Sequence, residues 1–255
     1  PQLRPEDIGD VIMGCAMPFG VQGGNMARLI VQRAGLPDCV TAQTVNRYCS
    51  SGLQTIATAA NAIRCGEEDV VIAGGVESMS LVPMLVGAED ADPWLAEHRP
   101  EVYTTMGITA ENVARQWGIS RADMDAMAVE SHRRAAQAQA GGCFDGQIIP
   151  ITVPGPDGGE VVVCRDEGIR PGTTAETLAG LKPCFLENGS VTAATSSQMT
   201  DGAGFVVLMS EEKAAELGVK PLARFVSFAT GGVPAEVMGV GPIEAVPKAL
   251  RKAGL

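Results

Sequence analysis

Residues 40–75 read VTAQTVNRYCSSGLQTIATAANAIRCGEEDVVIAGG, and this stretch decides the fold. Residues 40–45 predict a strand. From Cys49 to Arg64, apolar side chains recur at the spacing of one buried helix face. The continuous apolar run at residues 70–73, followed by two glycines, is typical of a central strand covered on both faces. Strand, helix and strand in this order form a βαβ unit, which predicts an α/β fold.

Similar patterns continue outside this unit. A short apolar run at residues 11–13 precedes it, and residues 80–105 form a long irregular excursion of the kind that is usually functional. Ser120 is a good N-cap, with Asp123 three residues later. The other predicted elements are helices over 25–35, 109–117, 120–141, 175–178, 210–218 and 243–253, and strands over 148–153, 161–164, 204–209 (buried) and 222–229. Pro247 is tolerable only in the first turn of the last helix.

Composition excludes several classes of protein. The 255 residues are 45% hydrophobic, enough for one large domain or two small ones, and no apolar run is long enough for a transmembrane helix. A net charge of −11 argues against nucleic acid or an anionic membrane surface as partner. Seven cysteines without a C-x-x-C pair and only two histidines predict neither a disulfide framework nor a metal site. Mostly buried free thiols in a reducing compartment, the cytoplasm, are expected.

Cys49 is the thiol whose position suits chemistry. It lies where the predicted strand gives way to the predicted helix, so it faces the unsatisfied N–H groups and positive dipole of the helix start. Both features stabilise a thiolate over a thiol. Ser50, Ser51 and Gly52 are small and leave room for a substrate. The alternative is a packed structural cysteine, as we assume for the other six.

Five segments of the chain form an ordered set of motifs: VNRYCSSG (45–52), GGVESMS (74–80), MGITAENVA (106–114), NGSVTA (188–193) and DGA (201–203). Together they resemble the thiolases, which include the acetyl-CoA acetyltransferases and the 3-ketoacyl-CoA thiolases. The segments occur in the family's order, and the resemblance extends over essentially the whole chain.

The resemblance implies an α/β fold of the thiolase-like layered α-β-α-β-α type, with three parts in this chain. Residues 1–79, with a returning strand and helix at 198–219, would form the N-terminal core. Residues 80–197 would form a loop domain that covers the active site and binds coenzyme A. Residues 220–255 would begin the C-terminal half, which is truncated here.

The resemblance also implies covalent catalysis. Cys49 would form an acyl-enzyme and pass the acyl group to coenzyme A in thiolysis, or to an acetyl-CoA carbanion in Claisen condensation. The backbone N–H of Cys49 matches one oxyanion donor of the family. Coenzyme A and acyl-CoA would be substrates, with no covalently bound cofactor and no metal. The family forms dimers and tetramers, so a homodimer or homotetramer is expected.

Three further residues fall on substrate-binding positions of the family. Ser197 matches a serine that meets the pantetheine, Lys182 lies near a basic residue that contacts the nucleotide end of coenzyme A, and Met106 matches a methionine lining the acyl pocket. Each has an ordinary alternative. Ser197 could satisfy turn backbone groups, Lys182 could be a solvated charge, and Met106 could fill the core.

The chain departs from the family pattern in two ways. Thr105 stands where short-chain biosynthetic members have a histidine, and residues 195–197 (Thr-Ser-Ser) look more like the degradative members, which favours fatty-acid breakdown by β-oxidation. The family's first strand and helix are also absent, as are its Asn-Glu-Ala-Phe loop, its Gly-His-Pro histidine and its second cysteine. Neither His98 nor His132 replaces that histidine, and His132 is expected to be a solvated helix residue. The 255-residue chain alone is therefore expected to be inactive.

Two other readings stay open. One is a non-catalytic thiolase-like protein that binds acyl-CoA or acts as a partner subunit. The other is a relative of the β-ketoacyl synthases, which share the fold and act on acyl carrier protein, although their catalytic context differs from residues 45–52.

Overall fold

The computed structural model of the protein describes residues 3–84 and 90–255, which form two compact units. Unit 1 comprises Pro1–Ala91, Met199–Gly232 and Pro242–Leu255, and unit 2 comprises Asp92–Gln198 and Val233–Gly241. Residues 85–89, which belong to the excursion noted in the sequence, lie outside the described residues. The three-part division implied by the resemblance stays a prediction.

Unit 1 is built on a four-stranded mixed sheet of β1 (Asp10–Gly14), β2 (Thr41–Val45), β3 (Val70–Glu77) and β6 (Gly202–Met209). The strands lie in the order β2-β1-β3-β6. β1 pairs in parallel with both β2 and β3, and β6 pairs antiparallel to β3. The predicted α/β fold is confirmed, with β1 lying between the two strands of the predicted βαβ unit.

Helices α1 (Met26–Arg33) and α2 (Ser51–Arg64) pack on the sheet. Successive strand residues point to opposite faces, so neighbouring valines of β3 enter different clusters. Val70 packs with Val31 of α1, whereas Val71 packs with Ala59 of α2. Because both faces are covered, β3 is the central strand that its apolar run predicts.

Two glycines permit close approaches that any larger residue would prevent. A Cβ at Gly14, the last residue of β1, would lie 2.6 Å from the Cβ of Ser51, the first residue of α2. A Cβ at Gly74 in β3 would lie 2.1 Å from the carbonyl oxygen of Gly204 in β6. The helix start and the neighbouring strand therefore sit directly on glycine backbone.

Two predictions about strands are wrong. β6 is not buried, because it is an edge strand of the sheet and most of its side chains, including Phe205, Val206 and Val207, are exposed. Residues 222–229 do not form a strand, because no strand among the described residues pairs with them. Arg64 of α2 instead donates hydrogen bonds to the carbonyls of Phe225 and Val226, at 3.2 and 3.3 Å.

Unit 2 contains α3 (Pro93–His98), α4 (Met106–Trp117), α5 (Arg121–Ala140), α6 (Ala175–Ala179) and a hairpin of β4 (Ile151–Pro154) and β5 (Glu160–Val163). α4 begins one turn earlier than predicted. Ser120 caps α5 as predicted: its hydroxyl accepts from the N–H of Asp123, and the Asp123 carboxylate accepts from the N–H of Ser120.

The last helices of the chain are α7 (Glu211–Glu216) and α8 (Gly241–Ala253). Pro247 lies in the second turn of α8, so the expectation that this proline is tolerable only in a first turn is wrong. Pro247 is exposed, and its ring replaces a backbone N–H inside the helix. In the described part of the chain, no helix has both the length and the apolar character needed to cross a membrane.

Candidate active site

Cys49 lies in the turn that joins β2 to α2, as predicted. Ser50 is the N-cap of α2, so the exposed thiol of Cys49 stands just before the first helical residue, Ser51. The backbone N–H groups of a helix start are directed out of the helix and carry partial positive charge. The thiol is thus accessible to a substrate and belongs to the residue that precedes the N-cap of α2.

The turn around Cys49 is closed by its own backbone and two serine hydroxyls. The N–H groups of Ser50 and Ser51 donate to the carbonyls of Arg47 and Tyr48, at 3.1 and 3.0 Å. The Ser51 hydroxyl donates to the Tyr48 carbonyl at 2.6 Å and accepts from the N–H of Arg47 at 2.8 Å. Tyr48 has a φ of 46°, a left-handed conformation that is uncommon outside glycine.

The other three predicted site residues belong to unit 2, whereas Cys49 belongs to unit 1. Met106 is the first residue of α4 and is 46% exposed, so it does not fill a core among the described residues. Lys182 is exposed in the segment after α6, and Ser197 is exposed two residues beyond the short 3-10 helix Ala193–Thr195. All three side chains are therefore open to a ligand.

Glu111 of α4 anchors the NGSVTA segment of unit 2. Its carboxylate accepts from the N–H and hydroxyl of Ser190, each at 2.9 Å, and from the N–H of Val191 at 2.8 Å. The side chain is only 6% exposed. Burial favours the neutral carboxyl, but the hydrogen bonds from Val191 and Ser190 outweigh it and lower the pKa of Glu111. Glu111 lies within the MGITAENVA segment, but the sequence alone gives no sign that its carboxylate holds another segment in place.

Glu77, at the end of β3, was likewise not singled out by the sequence. Its carboxylate accepts from the N–H groups of Ala16 and Met17, at 2.8 and 3.2 Å, and from the side-chain amide of Gln22 at 2.9 Å. These contacts hold the loop that follows β1. The buried Cys15 thiol lies 3.7 Å away, and burial followed by the Glu77 charge raises the pKa of Cys15. The one feature of the sequence that could have indicated this role is that Glu77 is the single acidic residue of the GGVESMS segment.

The two histidines have structural neighbours. His98 stacks on Trp94 with ring centroids 4.6 Å apart. His132 on α5 is not simply solvated as predicted, because it is half-buried and its Nδ1 accepts from the N–H of Arg170 at 3.2 Å.

The expectation of mostly buried cysteines is wrong. Only Cys15 is buried, because the other cysteines occupy loops and helix ends; the exposed ones besides Cys49 are Cys39, Cys65, Cys143, Cys164 and Cys184. Within residues 3–84 and 90–255, no group of three or more His, Cys, Asp or Glu side chains is arranged to hold a metal ion.

Comparison with known proteins identifies the relatives of this chain. The family profile described as "Thiolase, N-terminal domain" matches residues 1–212. The 3-ketoacyl-CoA thiolase of Bacillus subtilis (strain 168) is 54% identical over 257 residues, covering 98% of this chain and 66% of that protein. The 3-ketoacyl-CoA thiolase of Marinomonas sp. (strain MWYL1) is 45% identical, covering 100% and 65%.

The fold is likewise shared with a solved structure. The crystal structure of the Bacillus anthracis acetyl-CoA acetyltransferase matches 99% of this chain with a TM-score of 0.86 and 41% sequence identity. The match covers 66% of that chain, so this sequence spans about two thirds of the length of the proteins it matches. On the family profile, the sequence identity and the shared mixed α/β fold, this chain belongs to the thiolase family.

Proposed function

We propose that this chain carries the nucleophile of an acyl-CoA C-acyltransferase of the thiolase type, and that the nucleophile is Cys49. One observation carries the proposal: the thiol of Cys49 is exposed at the start of α2, within the segment VNRYCSSG. The relatives named 3-ketoacyl-CoA thiolase support the choice of reaction.

The proposed thiolysis proceeds in two steps. The Cys49 thiolate adds to the 3-keto carbon of a 3-ketoacyl-CoA, and the resulting alkoxide collapses by breaking the bond between carbons 2 and 3. The acetyl-CoA carbanion that leaves takes up a proton, and the acyl group remains on Cys49 as a thioester. The thiolate of a second coenzyme A then adds to this thioester and expels the Cys49 thiolate. Claisen condensation is the same sequence in reverse.

The Cys49 N–H is the proposed donor to the oxyanion in this sequence. A donor aimed at the carbonyl oxygen stabilises the negative charge that develops there. The Cys49 N–H lies in a turn in which the N–H groups of Ser50 and Ser51 are directed to carbonyls of the same turn.

The proposed binding residues for the acyl-CoA lie in unit 2. Lys182 is assigned to a phosphate of the nucleotide end, because its exposed ammonium can pair with an anion. Ser197 is assigned to the pantetheine amides, because a hydroxyl can both donate to and accept from an amide. Met106 is assigned to the acyl chain, because its flexible apolar side chain adapts to different shapes and is half-exposed.

The proposed physiological setting is fatty-acid degradation by a cytoplasmic homo-oligomer. Thr105 and the sequence Thr-Ser-Ser at 195–197 support the degradative direction. The free cysteines support a reducing compartment.

The test is mass spectrometry of the natively expressed protein before and after mixing with acetyl-CoA. The proposal expects a mass increase of one acetyl group, mapped by peptide analysis to Cys49. The exposed Cys184 serves as the internal reference for nonspecific acetylation. A protein that gains no acetyl group but is stabilised by acyl-CoA would contradict the proposal and favour a non-catalytic acyl-CoA-binding protein.

A further inference from the structure

We propose that Asn46 is a positioning residue for the Cys49 thiolate, acting through the left-handed turn at Tyr48. The proposal deepens the proposed function and rests on it, because it assumes that Cys49 is the acylated residue. It is carried by hydrogen bonds that join Asn46 to the nucleophile turn on one side and to the loop after β1 on the other.

The carboxamide of Asn46 uses both of its ends. Its Oδ1 accepts from the N–H of Tyr48 at 2.8 Å, and its Nδ2 donates to the carbonyl of Ala16 at 3.0 Å. An asparagine carboxamide offers an acceptor and a donor on two separate atoms, so it can make both contacts at once. Aspartate keeps the acceptor but cannot donate to a carbonyl when ionised, and alanine keeps neither.

Ala16 is itself held firmly. Its N–H donates to the Glu77 carboxylate at 2.8 Å, and the N–H of the preceding Cys15 donates to the carbonyl of Val45 at 3.1 Å. Glu77 ends β3 and Val45 ends β2, so the loop is tied to two strands of the sheet. Through Ala16, Asn46 therefore fixes the nucleophile turn to a rigid part of unit 1.

The conformation of Tyr48 needs such support. A tyrosine with a φ of 46° is strained, and strained residues persist where their surroundings over-determine them. The bond from the Tyr48 N–H to the side chain two residues earlier is the local contact that favours this turn. Without it, the turn keeps only the contacts that Ser50 and Ser51 make with the Arg47 and Tyr48 backbone, and the equilibrium of Tyr48 shifts towards a negative φ. Cys49 is the next residue, so its N–H and thiol would move relative to α2.

The experiment compares Asn46→Ala with the natively expressed parent protein in single-turnover acetylation of Cys49 by acetyl-CoA, followed by mass spectrometry. The rate should fall by between about 10- and 100-fold, as expected for a displaced reacting group, while the half-saturating concentration of acetyl-CoA is unchanged. A merely destabilising substitution would instead lower the fraction of protein that becomes acetylated and leave the rate constant of the folded fraction unchanged.

Asn25→Ala is the matched control. Asn25 is also exposed in unit 1, and its carboxamide also donates to a backbone carbonyl, that of Ala42 at 2.9 Å, and accepts from a backbone N–H, that of Arg28 at 3.3 Å. It caps α1, and its side-chain hydrogen bonds join Ala42, Arg28 and Thr44 rather than residues of the Cys49 turn. Asn25→Ala should lower the melting temperature and leave the acetylation rate at the parent value. An equal loss of rate in both variants would overturn the proposal.

A second substitution tests the role of the turn directly. Glycine adopts positive φ without steric cost, so Tyr48→Gly in the Asn46→Ala background should recover most of the lost rate. A double variant as slow as Asn46→Ala would show that Asn46 does not act through this turn, and the proposal would fail.

Iodoacetamide alkylation of Cys49 separates this proposal from the proposed function. If the parent protein takes up no acetyl group, the proposed function fails, but alkylation of Cys49 still reports the placement of the thiolate. Alkylation should then be about tenfold slower in Asn46→Ala than in the parent, since the thiol is no longer held in its place before α2. Equal alkylation rates would overturn the role of Asn46.

Discussion

The carboxylate of Asp201 accepts two hydrogen bonds from Ser80, one from its N–H at 2.8 Å and one from its hydroxyl at 2.6 Å. Ser80 follows β3 and Asp201 precedes β6, so the pair closes the point where the chain leaves the sheet and returns to it. The hydrogen bonds from the Ser80 hydroxyl and N–H lower the pKa of Asp201 from its ordinary value of 3.8.

Asp201→Ala should loosen this closure. The substitution leaves the Ser80 N–H and hydroxyl without their acceptor, so amide hydrogen exchange should accelerate in the peptides that contain Ser80 and the start of β6. Exchange in the peptide that contains β1 should not change. Asp157→Ala, in the exposed turn between β4 and β5, is the control. Because the pKa of Asp201 is lowered in the folded state, the stability that its carboxylate contributes to the folded protein is present above pH 3.8 and is lost as the pH falls further.

Cys49→Ser should abolish acyl-enzyme formation without changing the fold. A serine hydroxyl at this position is far less ionised than a thiol at neutral pH, so the helix start has no anion to stabilise. Far-ultraviolet circular dichroism and the mass of the acetylated protein would be measured together. Cys184→Ser is the matched control, and it should retain full acetylation. Unchanged acetylation of Cys49→Ser would refute the assignment.

Lys182→Ala should weaken binding of coenzyme A through its phosphates. In the natively expressed protein, removal of this exposed ammonium is expected to raise the apparent KM for coenzyme A about fivefold, which is about 1 kcal/mol and typical of an exposed ion pair, and to leave kcat unchanged. If Lys182 contacts the ribose phosphate, the KM for dephospho-coenzyme A, which lacks that phosphate, should rise less in Lys182→Ala than the KM for coenzyme A. Lys220→Ala provides the control for a general loss of charge. An identical KM in both lysine variants would contradict the assigned contact.

Glu111→Ala should destabilise the part of the chain that contains α4 and the NGSVTA segment. Alanine removes the carboxylate that accepts from the N–H groups of Ser190 and Val191, and the buried Val191 N–H that loses its partner costs about 1–3 kcal/mol. Urea unfolding of this variant, compared with that of the exposed Glu187→Ala, would measure the loss of stability. Because the pKa of Glu111 is lowered from 4.5, the advantage of the parent protein should be full above that pH and shrink below it. A pH-independent difference would contradict this account.

Pro247→Ala should stabilise α8. Proline inside a helix removes one backbone hydrogen bond and costs up to about 3 kcal/mol relative to alanine, and this proline is exposed, so no packing is lost with its ring. The midpoint of thermal unfolding should rise. A fall in the midpoint would mean that the distortion at Pro247 is needed for the fit of α8 to its neighbours.

The central part of the fold was predictable because its signals are local. The valines of β3 and the helical spacing of α2 depend on neighbours within a few residues, and both elements occur where the sequence places them. β6 was predicted as a strand but not as an exposed one. Its apolar composition cannot reveal that it lies at the edge of the sheet, because that depends on how many strands pair beside it.

The site was predictable only in part, for a related reason. The position of Cys49 before a helix follows from the order of elements along the chain. The left-handed conformation of Tyr48 does not, since tyrosine has no tendency towards it and the support comes from Asn46 and Ala16. The contacts of Glu77 and Glu111 join residues that are 60 and 79 positions apart, and no short-range pattern encodes them.

The contact between Gly14 and Ser51 has a genetic consequence. Every missense change at a glycine codon introduces a residue with a Cβ. At Gly14 that atom would lie 2.6 Å from the Ser51 Cβ and push the start of α2, with the adjacent Cys49, away from the sheet. In a saturation library selected for acylation of Cys49, position 14 should therefore be depleted of every missense allele, even though it lies outside the segment that bears the thiol.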